Sequence, residues 1–198
     1  MASQVLKREQ EFFAVRQEHG VGPLAGGIGS IRHFRVLPTR SVVAVKARSN
    51  VGPITFVTES VSGEFGLHVS NDDLLLGHSM TSRLEIPLGT LTSGNVLYDA
   101  EIMRRVDARR FPISTVELTT SARIGDTNSY ELSGSLSLHG VTRGIEGVVT
   151  AELSTPETMV VNGKQLIDIR EFELGVPSTF MLKIYPDVEI EMHLEAEA

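Results

Sequence analysis

The chain has 198 residues, which suits one domain able to bury roughly 70% of its unfolded surface in a single core. Its 18 Lys and Arg against 25 Asp and Glu leave a formal charge of −7, which repels a phosphate backbone and argues against nucleic acid as a partner. The absence of cysteine excludes disulfides, thiolate metal sites and thiol nucleophiles, and no apolar run reaches the roughly 18 residues a spanning helix needs, so a soluble globular protein without stable membrane insertion is expected.

From Ser3 to Gly20 the composition favours a helix with Val5, Leu6, Phe12, Phe13 and Val15 as its apolar positions. Charged residues interrupt every stretch that could act as a secretory signal, which predicts a cytoplasmic protein. Glu9 and Arg16 fall in the middle of the apolar face, so the helix reads as docked on the body of the protein or swapped to a neighbour rather than laid on a membrane. Gly20, Gly22, Gly26, Gly27 and Gly29, with Pro23 among them, then form a linker. The predicted organisation is a helix and linker over 1–30 and one domain over 31–198.

From residue 31 onward the apolar period is 2, which predicts strands. They fall at about 32–37, 41–48, 53–59, 61–69, 79–88, 114–124, 129–138, 143–153, 165–174, 179–185 and 188–197. Val61, Gly63, Phe65, Leu67 and Val69 share an inward face, leaving His68 outward. Met80, Ser82, Leu84, Ile86 and Leu88 form a second such set, and Val116, Leu118, Thr120 and Ala122 a third. In the last strand Val188, Ile190, Met192 and Leu194 alternate with Glu189, Glu191, His193 and Glu195. Short connections between so many strands predict an antiparallel barrel.

The hairpin over 129–153 places Tyr130, Leu132, Gly134, Leu136 and Leu138 inward, answered by Ile145, Gly147, Val149, Ala151 and Leu153. A four-residue turn at His139–Thr142 sets Gly134 opposite Gly147, which reads either as room for a ligand or as a sharp bend of the sheet. His139 at the start of the turn is read as bonding backbone groups of the loop. One segment, 97–108, has helical spacing through Leu97, Ile102, Met103 and Val106 and predicts a helix across the barrel, stopped by Pro112. Arg104, Arg105, Arg109 and Arg110 could bind an anionic head group, but Asp99, Glu101 and Asp107 nearly balance them, and a solvated ion-pair network is the preferred reading. The group His68, Asp72, Asp73 and His78 reads as an exposed turn rather than a metal site. His193 reads as a surface histidine between two glutamates.

The run Leu136-Ser137-Leu138-His139-Gly140-Val141-Thr142 resembles the hairpin signature of the YceI-like family. Asp99, Met103, Asp107, Phe111 and Pro112, together with Ser41, Val43 and Val45, extend the resemblance, which covers about residues 32–197. It implies a mainly β fold, an extended eight-stranded antiparallel lipocalin-like barrel with a short helix across it. It also implies a non-catalytic role, binding or carrying a polyisoprenoid, quinone-like or other long apolar lipid, with many members periplasmic and often dimeric.

Inward parity nominates an apolar lining of Phe56, Phe65, Leu67, Leu84, Ile86 and Leu118, continued by Leu132, Leu136, Ile145, Val149, Ile190 and Met192. Gly63, Gly134, Gly147 and Ala151 are small inner residues that favour a cavity, and Gly134 and Gly147 are placed in the binding set. Tyr98, Arg104 and Arg105 are assigned to the head group. No catalytic residue, metal or cofactor is expected apart from the bound lipid, and a homodimer is an open arrangement. Two other readings stand beside this one. The first is an enzyme acting on an isoprenoid lipid with His139 and Asp107 or Glu101 as acid-base partners. The second is a barrel filled by its own side chains that works through protein contacts.

Overall fold

The computed structural model describes residues 30–70, 73–74, 79–174 and 183–198. The helix and most of the linker predicted before residue 30, the turn at Asn71 and Asp72, His78 and most of the strand predicted at 179–185 lie outside the described residues.

The strands are β1 (Ser30–Val36), β2 (Val42–Ser49), β3 (Gly52–Thr58), β4 (Ser62–Ser70), β5 (Asp73–Leu74) and β6 (Ser79–Pro87). After helix α1 (Val96–Arg105) come β7 (Ile113–Arg123), β8 (Ser129–Leu138), β9 (Val141–Thr155), β10 (Thr158–Asp168) and β11 (Ile184–Glu197). Neighbours follow the order β1-β4-β6-β7-β8-β9-β10-β11, and β1 pairs with β11 at Arg35↔Glu197 and Val36↔Ala196 to close an eight-stranded antiparallel barrel. The extension comes from β11. Its last residues meet β1, while the stretch from Ile184 to His193 carries β2 and then β3 as a continuation of the wall.

The period-2 pattern explains why the chain closes this way. Phe65, Val69, Met80, Leu84, Val149, Val188 and Leu194 are all buried on the inward parity assigned to them. Burying each large apolar side chain contributes about 1.5–3 kcal/mol, enough that a register slip of one residue on any of these strands is strongly disfavoured. The outward acids of β11 meet cations on both neighbouring strands. Lys164 Nζ lies 2.8 Å from Glu189 and 3.5 Å from Glu191, and Lys46 Nζ lies 3.7 Å from Glu189. Such exposed pairs fix register more than they add stability.

Three local expectations are corrected. First, a bulge between Leu118 and Thr120 reverses the parity of β7, so Ser121 pairs with the inward Leu132 and Ala122 is exposed instead of buried. Second, the strand predicted at 165–174 begins earlier, at Thr158, and ends at Asp168, where the carboxylate accepts from Arg170 N (2.9 Å) and starts a 3-10 turn over Ile169–Phe172. Gly163 stands mid-strand, where Met192 and Val149 side chains occupy the space a Cβ would need.

Third, the β8–β9 turn has two residues, not four. His139 and Gly140 both have positive φ, 54° and 77°, the geometry of a tight hairpin turn whose twist matches the flanking strands. Leu138 therefore pairs with Val141, which sets Gly147 opposite Leu132 and Gly134 opposite Ile145, so the two glycines do not face each other.

Candidate ligand cavity

The interior divides into two apolar clusters. One gathers around Phe34, Phe65, Val69, Met159 and Ala196. The other, around Phe56, Leu88, Leu136, Ile167, Phe172 and Val188, borders a cavity of about 200 Å³ that also reaches into the first. A single water needs roughly 10–15 Å³ of such space, so the barrel is hollow on a scale that exceeds an ordinary packing defect.

Most of the wall contributes, β1 and β4 excepted. Phe56 comes from β3, Leu84 and Ile86 from β6, Leu118 from β7, and Leu132 and Leu136 from β8. Ile145, Gly147 and Val149 come from β9, and Ile190 and Met192 from β11. These predicted residues border the cavity together with Val43, Val45 and Ala47 of β2, which the sequence reading left out although their alternation is the same. Phe65 and Leu67 do not border it. They belong to the first cluster, because the cavity lies toward the other end of the barrel.

The inner glycines have separate roles. A Cβ on Gly134 would overlap the Glu117 carbonyl oxygen and stand 2.8 Å from Leu118 Cα, so this glycine lets β7 cross β8 at the bulge and does not border the cavity. Gly63, with φ at 145° and Leu84 Cα 2.9 Å from its would-be Cβ, likewise admits its neighbouring strand. Ala151 is buried in the first cluster and does not border the cavity. Gly147 alone of the four opens onto the cavity, and the Gln165 side chain covers it, with Oε1 2.6 Å from where a Cβ would sit.

Helix α1 closes one end. Asn95 caps it by accepting from Leu97 N (3.0 Å) and Tyr98 N (3.4 Å). Asp99 anchors it to the preceding loop by accepting from Ser93 N and Ser93 Oγ (both 2.6 Å) and Thr92 Oγ1 (2.7 Å), bonds that hold its carboxyl below the usual carboxylate range. Asp99 is thus a tether and not a partner of the arginines. Ile102 and Val106 face the cavity, while Tyr98 and Met103 pack against the surrounding cluster without bordering it and Leu97 is exposed.

The arginine run separates by environment. Arg104 is exposed and forks onto Glu101, with Nη2 2.8 Å from Oε1, pointing away from the cavity. Arg105 is the inward member, its side chain 6% exposed, donating from Nε to Glu101 Oε1 at 2.8 Å and bordering the cavity. Burial works to raise the Glu101 carboxyl, but hydrogen bonds from Arg104 and then Arg105 outweigh it and hold it below its ordinary value. Arg110 stacks over Phe111 at 5.0 Å. Of the three residues assigned to a head group, only Arg105 is placed against the cavity.

His139 has a structural setting. Its Nδ1 donates to the Phe172 carbonyl (3.2 Å), and its ring stands edge-on to Phe111 at 5.0 Å. Phe111 also occupies the space beside Gly140. The hairpin signature is therefore a clasp that joins the β8–β9 turn to the 3-10 turn after β10 and to the start of β7. Neither His139, Asp107 nor Glu101 borders the cavity. His193 bonds Asn162 Oδ1 (2.7 Å) on the outer surface. Among the described residues no group of His, Asp and Glu is arranged to hold a metal, and no helix is long and apolar enough to cross a membrane.

Comparison with known proteins matches residues 34–196 to the model of the YceI-like domain. The chain belongs to the YceI-like family. Among solved structures, BcnA of Burkholderia cenocepacia is similar with a TM-score of 0.68 at 19% identity, covering 81% of this chain and 98% of that one. A polyisoprenoid binding domain from Saccharophagus degradans, implicated in plant cell wall breakdown, gives 0.68 at 16% identity, covering 85% and 99%. A YceI protein of Campylobacter jejuni gives 0.56 at 11% identity, covering 93% and 95%. No curated protein sequence matches the chain. At these identities the structures establish the shared barrel.

Proposed function

We propose that this YceI-like protein is a non-catalytic carrier of a long, slender amphiphile of the isoprenoid type, whose tail lies in the barrel. The observation that carries the reading is the cavity itself, lined mainly by aliphatic side chains and Phe56, with Arg105 among the charged groups at its border. Each buried methylene contributes on the order of 0.8 kcal/mol, so a prenyl tail needs few polar contacts to bind tightly. The name of the Saccharophagus relative supports the same class of ligand.

The test is titration with NBD-labelled geranylgeraniol, the fluorescence reporting transfer from water to an apolar site. Saturable one-to-one uptake that is lost when Leu132 and Ile145 are both changed to Trp, in a protein that keeps its thermal transition, is the expected result. Uptake unaffected by the two tryptophans would remove the cavity as the site. The isoprenoid-enzyme reading is separated by chromatography of the probe and of prenyl diphosphates after incubation, where the carrier reading expects every compound unchanged.

A further inference from the structure

The ladder between β9 and β10 is incomplete. It runs from Thr158↔Thr155 to Gly163↔Val149 and stops there, although β9 reaches back to Val141 and β10 continues to Asp168. Over these lengths each strand remains fully paired on its other side, β9 to β8 and β10 to β11. The barrel wall is therefore unzipped between 141–148 and 164–168. The slot has a floor, because the 3-10 turn that follows β10 is clasped to the β8–β9 turn by His139 and the Phe172 carbonyl.

Side-chain parity shows that the cavity extends into this slot. Strand residues on the outer face have no access to an interior space while the wall is continuous. Glu146, Val148 and Lys164 nevertheless border the cavity, although Ile145, Gly147, Val149, Gly163 and Gln165 hold the inward positions around them. Elsewhere among the described strands the bordering residues keep inward parity. Outside, Val148 and Leu166 are 51% and 61% exposed and give the slot two apolar edges.

Gln165 spans the slot. Extending the register beyond Gly163↔Val149 puts it opposite Gly147, and its Oε1 lies over the missing side chain of that glycine. Its amide nitrogen donates to the Leu166 carbonyl at 3.2 Å, so the side chain is held by its own strand rather than by β9. Rotation about its side-chain bonds opens the passage without breaking any ladder hydrogen bond.

We propose that the amphiphile enters and leaves sideways through this slot, with Gln165 over Gly147 as the gate. The proposal rests on the carrier reading above, and the test separates the two. Because the chain has no cysteine, V148C/K164C introduces the only thiols, one on each edge of the slot, and a control pair T150C/N162C sits where the ladder is intact. Each pair is bridged with ethanediyl bismethanethiosulfonate, which dithiothreitol removes. Stopped-flow uptake and release of NBD-geranylgeraniol are then followed.

Bridging the slot should slow both rates by at least about tenfold while Kd changes less than about twofold, with recovery on reduction and no effect of the control bridge. Gln165→Ala, which needs no bridge, should accelerate both rates with Kd little changed. Equal rates before and after bridging, together with wild-type rates in Gln165→Ala, would overturn the slot and leave the carrier reading standing. Failure of the unbridged protein to take up the probe would defeat the carrier reading itself.

Discussion

Two glycines on the same face of one hairpin should respond in opposite ways to the same substitution. At Gly134 an added Cβ meets backbone, the Glu117 carbonyl and Leu118 Cα at 2.8 Å, and the bulged strand has no slack to retreat. Gly134→Ala should cost about 1–3 kcal/mol as overpacking, which for a chain of this size lowers Tm by about 2–12 °C. At Gly147 the added carbon meets the end of the Gln165 side chain, which can swing away, so Gly147→Ala should stay within about 1 kcal/mol of wild type. Gly147→Leu goes further and projects an isobutyl group into the cavity. Displacing three or four ligand methylenes at about 0.8 kcal/mol each removes about 2.5–3 kcal/mol of binding, a 60- to 150-fold rise in Kd. Calorimetry on the two alanine variants and titration of the leucine variant with NBD-geranylgeraniol measure both halves. Equal stability of the alanine variants would refute the distinction between bend and opening, and unaltered affinity in a folded Gly147→Leu protein would refute the placement of the ligand.

Arg105 is the cation that α1 places at the cavity border, held there by Glu101, so Arg105→Met should weaken a geranylgeranyl diphosphate probe about 10- to 100-fold, the range of a charge-assisted hydrogen bond, and the corresponding alcohol much less. Equal loss for both probes would show that the guanidinium supports the wall and does not read a head group. The Glu101 carboxyl is depressed in the folded protein, so its contribution is present above the unfolded value near 4.5 and is lost as pH falls through the lower folded value. The Tm difference between wild type and Glu101→Gln should accordingly be constant from neutral pH to about pH 5 and shrink below about pH 4, and a difference that persists in acid would contradict the ion-pair assignment. His139→Ala loses the bond to the Phe172 carbonyl at about 0.5–1.5 kcal/mol, so Tm should fall while the probe's Kd holds. A loss of affinity without a loss of stability would instead place His139 at the ligand.

The parts of the fold that could be read from the sequence are those governed by a two-residue period with one face in the core. Val188, Ile190, Met192 and Leu194 against their glutamates specify a strand whatever its neighbours are, and Phe65, Leu84 and Leu136 are buried for the same reason. The errors came where a single residue resets the count. Nothing local to Thr119 announces that β7 bulges there, since the bulge arises from strand crossing at Gly134. His139 occupies a positive-φ position usually read from Asn or Asp, and counting it into a longer turn displaced the whole register. Which inward residues border the cavity depends on where α1 lies along the barrel axis. Parity is blind to that, so Phe65 and Phe56 looked equivalent. The arginines show the same limit, because only the helix geometry decides that Arg105 turns inward and Arg104 outward. The slot between β9 and β10 was out of reach as well. The alternation falters at residues 145–149 and 163–167, with Gln165 inward and Val148 and Leu166 outward, but such a lapse does not say that two strands part, and only the missing ladder reveals the opening.

The central claim is that the barrel holds one amphiphile. The most direct measurement is native mass spectrometry of the purified protein, paired with mass spectrometry of its organic extract. The account predicts one lipid with a long apolar tail per chain, absent from the Leu132→Trp/Ile145→Trp protein purified in the same way. A folded wild-type protein that yields no lipid and takes up no prenyl probe would contradict it.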